Sequence, residues 1–118
     1  MSYDITFRVK AEGADIWIDV GDCNANTTWN VREMIVKSTG LEWNNCKNNG
    51  LCKDIIPNIS KGYCELVNNP EKYKQYEAPN GWGTVESTRR FFHDILESWY
   101  DLLREDSRFA DCATFWII

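Results

Sequence analysis

At 118 residues with 43% hydrophobic and 14% aromatic content, the chain has the length of one compact domain, residues 1–118, and enough large side chains to fill a core. No run approaches the roughly 20 apolar residues needed to cross a bilayer, and the opening from Met1 to Thr6 has neither the basic nor the apolar region of a signal peptide, so a cytosolic protein with no membrane partner is expected. The net charge of −5, from 18 acidic and 13 basic residues with only Arg89 and Arg90 adjacent, excludes the clustered cationic face of a nucleic-acid groove.

The five cysteines, Cys23, Cys46, Cys52, Cys64 and Cys112, are odd in number and form no C-x-x-C pair, which signals neither a disulfide framework nor a zinc ribbon. Reduced, partly buried thiols are expected. With His93 as the one histidine, no metal site and no cofactor are expected either.

Tyr3, Ile5, Phe7 and Val9 alternate with Asp4, Thr6, Arg8 and Lys10, the period-two pattern of a half-buried strand. Residues 11–14 can turn the chain into a second strand. There Ile16, Ile18 and Val20 should face the core, with Asp15, Trp17 and Asp19 on the other side. The loop Asp22 to Asn30 follows, rich in short hydrogen-bonding side chains. Asn30 with Glu33 forms a capping-box pattern and Trp29 with Met34 a hydrophobic staple, predicting a helix from about Val31 to Thr39 that Gly40 terminates. Residues 42–50 have no periodicity and predict an exposed, mobile loop.

Leu51, Ile55, Ile56, Ile59, Tyr63, Leu66 and Val67 recur at helical spacing, with Pro57 marking either a start near Asp54 or a kink. Residues 70–73 can begin a further short turn before the break at 78–81. The clearest element is the apolar stripe Val85, Thr88, Phe92, Ile95, Leu96, Trp99, Leu102 and Leu103, a core helix from about Thr84 to Glu105. Residues 112–118 predict a terminal strand returning to the hairpin. The expected fold class is therefore α+β, an antiparallel sheet of about three strands packed against three helices in the order β-β-α-α-α-β.

Two loops lead into helix starts, Asp22 to Asn30 and Asn80 to Thr84, and each brings a tryptophan and unpaired N–H donors. One reading joins them in a ligand-binding pocket, with Trp29 or Trp82 stacking on a ring and Asn24, Asn26, Thr28, Gly83 and Thr84 meeting polar edges or a phosphate. The other reading is capping, turn formation and core anchoring. Neither loop matches a P-loop or a dinucleotide fingerprint. His93 with Asp94 and Glu97, and Arg89-Arg90 with Glu86 and Asp94, read as exposed helix pairs, and no nucleophile accompanies them, so no catalytic residue is assigned. If Phe115 and Ile117 face inward, Thr114 and Trp116 stand outward beside Trp17, an aromatic face suited to a partner protein, to a second subunit in a homodimer, or to cover by the chain's own loops.

Ser2 to Ile5, the Asn24-x-Asn26-Thr27-Thr28-x-Asn30 loop and the Asn80-Gly81-Trp82-Gly83-Thr84-x-Glu86 stretch before a long amphipathic helix resemble, in layout, small uncharacterised accessory proteins of bacteriophages and prophages. The resemblance implies a non-enzymatic binding protein that counters host defence. Two forms of it are expected: capture of a small anionic or nucleotide-like ligand at the two junctions, or anti-CRISPR-like inhibition of a host defence protein through Trp17 and Trp116 or residues 44–49. An enzyme ranks third.

Overall fold

In the computed structural model, which describes residues 1–118, strand β1 (Ser2–Lys10) runs through an antiparallel sheet of five strands. Strands β2 (Trp17–Asp19) and β3 (Asn26–Thr28) share one edge of β1, the first pairing Val9 with Ile18 and the second Tyr3 with Thr27. On the other edge lies β5 (Thr114–Ile117), with Phe7 opposite Phe115, and β4 (Lys47–Leu51) pairs with β5 beyond it. Because side chains alternate along a strand, this register sends Tyr3, Ile5, Phe7, Phe115 and Ile117 to one face, where all five are buried.

Three helices cover that face, α1 (Arg32–Thr39), α2 (Cys52–Asn68) and α4 (Val85–Glu105), and the short α3 (Pro70–Tyr73) packs against α2. The buried stripe of α4, Val85, Thr88, Phe91, Phe92, Ile95, Trp99 and Leu102, has the 3.6-residue period of a helix lying on a core. Each such aromatic or aliphatic side chain contributes about 1.5–3 kcal/mol by leaving water. The helices approach closely at Gly62, where a Cβ would lie 2.6 Å from Thr39 Cγ2 and 3.0 Å from Phe92 Cε2. A glycine there lets α1, α2 and α4 converge.

The α+β class and the antiparallel sheet are as expected, but the counts are five strands and four helices, in the order β-β-β-α-β-α-α-α-β. The additional strands fall in segments that read as loops. Asn26–Thr28 lies inside the Asn-rich loop, and Lys47–Leu51 takes the second half of the expected mobile loop, residues 47–50. The ladder of β4 shifts register between Asn48 and Leu51, which removes the alternation that would announce a strand. Asn49 holds the preceding turn, its Nδ2 donating to Asn44 O at 2.8 Å and to Lys47 O at 3.1 Å. Trp43, at the head of the same segment, is buried edge-on against Tyr3, Phe91 and Phe115.

Three local expectations are corrected. Asn30 does not cap α1, because a 3-10 turn over Trp29–Val31 intervenes and the helix begins at Arg32 behind Val31, with no side-chain cap bond. Trp29 does not form the staple with Met34 but stacks on Tyr3, ring centroids 6.0 Å apart, and donates from Nε1 to Ser2 O. Ile16 and Ile18 are 59% and 49% exposed, Ile18 lying in β2, a three-residue edge strand paired only with β1. Gly40 does end α1, at φ 73°, and α2 begins at Cys52 and passes through Pro57.

Candidate binding site at the two loop-to-helix junctions

The segment entering α1 and the segment entering α4 meet. Gly83, at φ 111°, is the point of closest approach: a Cβ on it would lie 2.6 Å from Val31 Cγ1 and 3.2 Å from Thr28 Cγ2. Its missing side chain allows the second junction to press against the first. Beside this contact lies an open depression of about 450 Å³, lined by Asn26, Thr27 and Thr28 from β3, by Gly81, Trp82 and Gly83, and by Ser87, Arg90, Phe91 and Asp94 from α4.

Four expected residues therefore come together: Asn26, Thr28, Trp82 and Gly83. Three do not. Trp29 turns its ring onto Tyr3, Asn24 borders a separate small hollow with Thr6 and Asp22, and Thr84 faces the neighbouring flank of α4. Thr84 acts as a cap: its Oγ1 accepts from Ser87 N at 3.0 Å while Ser87 Oγ accepts from Thr84 N at 2.9 Å.

That capping changes the electrostatics expected of the helix start. Glu77 Oε2 accepts from Val85 N at 2.8 Å, so a carboxylate of the chain itself already occupies part of the donor set an incoming anion would use. The one basic residue on the lining is Arg90, balanced there by Asp94, and its guanidinium makes an exposed contact with Glu86 at 3.5 Å. The polar groups left for a ligand follow from their partners. Asn26 Nδ2 donates to Asp4 Oδ1 at 2.7 Å, leaving Asn26 Oδ1 as an acceptor, while Thr28 Oγ1 accepts from Asn30 N at 3.4 Å and keeps its proton to donate. Ser87 has both its hydroxyl functions engaged by Thr84. Trp82 is 69% exposed, and its backbone N–H is held by Asn80 Oδ1 at 3.0 Å.

Ser87, Arg90, Phe91 and Asp94 escaped the sequence reading because charged residues on a helix read as a solvated face. The signal was nevertheless present: positions 87, 90, 91 and 94 share one side of α4, the side that begins beside Gly83.

On the outer face of the sheet, Trp17 and Trp116 stand together as expected, edge to face at 5.4 Å. The Arg8 guanidinium lies 4.6 Å from the Trp116 ring centroid while its Nε donates to Asp19 Oδ1 at 2.7 Å, and Trp116 Nε1 donates to Thr114 Oγ1. The exposed His93 pairs with Asp94 and Glu97 along its own helix, at 3.5 and 3.6 Å.

The displaced ionisations belong to residues outside the lining of the depression. Burial pushes the Cys52 thiol up to about 12 and the Cys23 thiol upward, and burial together with the bond to Glu65 pushes Tyr73 up to about 12. No group of three or more His, Cys, Asp or Glu side chains is placed to hold a metal ion, and no helix is long and apolar enough to cross a membrane. Comparison with protein-family models, with curated proteins and with solved structures finds no match to this chain.

Proposed function

We propose that the protein is a non-enzymatic, phage-type binding protein that captures a small planar anion, a nucleotide-like ligand, at the junction of β3, the Gly81–Gly83 turn and α4. The observation that carries this reading is the convergence of an exposed Trp82 and the Arg90 guanidinium on one depression beside two positioned polar side chains, Asn26 and Thr28. A base stacks on Trp82, its amino edge meets Asn26 Oδ1 or the Asp94 carboxylate, and its phosphate takes charge-assisted hydrogen bonds from Arg90. Capture of this kind sequesters a signal without chemistry, in keeping with a role against host defence.

Calorimetry and thermal melting with linear and cyclic nucleotides test the proposal. At least one compound should give saturable heat and a raised melting temperature. Trp82→Ala should then cost about 1–3 kcal/mol of binding, the worth of one stacked base, and Asn26→Ala and Arg90→Gln should weaken binding with the fold intact. If no compound gives heat or a shift in melting temperature, the pocket reading fails. The alternative is then an anti-CRISPR-like inhibitor that docks a host defence protein on the Trp17 and Trp116 face, where the two rings meet at 5.4 Å.

A further inference from the structure

Glycine follows asparagine twice in this chain, at Asn49-Gly50 and at Asn80-Gly81. In such a pair the glycine nitrogen can attack the side-chain amide before it, because no Cβ blocks the approach. The fold treats the two pairs differently.

Asn49 is half-buried in β4 and both ends of its amide are engaged. Its Oδ1 accepts from Asn44 N at 3.2 Å, while Nδ2 donates to Asn44 O at 2.8 Å and to Lys47 O at 3.1 Å. The nitrogen that would attack it, Gly50 N, donates to Asn48 Oδ1 at 2.9 Å. Asn80 is exposed on the turn before Trp82, and its Nδ2 has no protein partner. Its Oδ1 accepts from Trp82 N at 3.0 Å, a bond that curls the side chain back along the Gly81 peptide. Gly81 N donates to Ala78 O at 3.0 Å, one bond to give up, and no residue beyond its chain neighbours comes within 4 Å of the place a Cβ on Gly81 would take.

We propose that Asn80 is a self-modification site, converted in the folded protein to aspartate and isoaspartate through a succinimide closed by Gly81 N. Gly81 N gives its proton to hydroxide and bonds to Asn80 Cγ, and the Trp82 N–H stands where negative charge develops on Oδ1. The Cγ–Nδ2 bond then breaks, and Nδ2 takes a proton from water and leaves as ammonia. Water adds to either carbonyl of the ring and opens it, so the sum is an amide and water giving a carboxylic acid and ammonia. The product sets a carboxylate beside Trp82. As isoaspartate it also lengthens the backbone of the turn whose Gly81, Trp82 and Gly83 line the depression.

The test is to hold the whole protein at mildly alkaline pH and follow the Asn80 and Asn49 peptides by mass spectrometry, with isoaspartate identified by enzymatic methylation. The Asn80 peptide should gain the mass of an amide-to-acid exchange, isoaspartate should be its main product, and the rate should rise with pH. Asn80 should convert at least about tenfold faster than Asn49, whose hydrogen bonds must break first. In urea Asn49 should gain speed until the two rates converge. Asn80→Gln should lose the modification, because its longer side chain closes the ring far more slowly. An unmodified Asn80 peptide, conversion of Asn49 as fast as that of Asn80 in the folded protein, or an Asn80 rate that rises in urea as much as that of Asn49 would overturn the inference.

Discussion

Cys52, the first residue of α2, has no exposed surface, and its backbone N–H donates to Ala113 O at 2.9 Å. Burial moves its thiol from an ordinary 9.0 up to about 12, so the folded chain keeps a proton that the unfolded chain releases above 9.0. Since the unfolded state then binds fewer protons, stability falls as pH rises from 9.0 toward 12, by at most about 1.4 kcal/mol per pH unit for one group. Urea unfolding midpoints followed upward through pH 9.0 should show this loss, and Cys52→Ala should lessen it to the share left by the raised Cys23 thiol. The later loss due to Tyr73, displaced from 10.0 up to about 12, should remain in that variant.

At the scale of elements, the two helices whose entry segments meet begin differently. Helix α4 starts on a reciprocal cap between Thr84 and Ser87, whereas α1 starts behind Val31 with no side chain bonded to its first turn. Thr84→Ala should therefore destabilise the fold by about 1 kcal/mol, while Asn30→Ala should stay within about 0.5 kcal/mol, measured as thermal or urea midpoints. A loss at Asn30 equal to that at Thr84 would contradict the cap assignment. The sequence made α4 legible, along with β1, β5 and the end of α1 at Gly40, because each has a strong period or a residue that stereochemistry singles out. It hid β3 and β4, whose Asn-Thr-Thr and Lys-Asn-Asn-Gly-Leu stretches have no alternation and become strands through pairing with β1 and β5. Half of the depression was legible for a related reason. Asn26, Thr28, Trp82 and Gly83 lie in loops that punctuate the chain, but the α4 residues gain meaning only when the other junction is laid against them.

For the molecule as a whole, the middle of the sheet is made from opposite ends of the sequence described here. Strand β1 takes Phe115, Trp116 and Ile117 as its neighbours, and Asp4 and Ile118 exchange backbone hydrogen bonds at 3.0 and 2.8 Å. During synthesis this arrangement imposes a delay: Ile5 and Phe7 leave the ribosome with the long edge of their strand unpaired and wait for residues 114–117. Ribosome-bound chains ending at Glu105 should therefore be cleaved rapidly by a protease, whereas chains carrying Ile118 and a linker long enough to clear the exit tunnel should resist. Protection of the shorter chains would show that the hairpin and helices hold together without β5. Until residues 114–117 emerge, the edge of β1 that carries Ile5 and Phe7 is open to any other strand that meets it first.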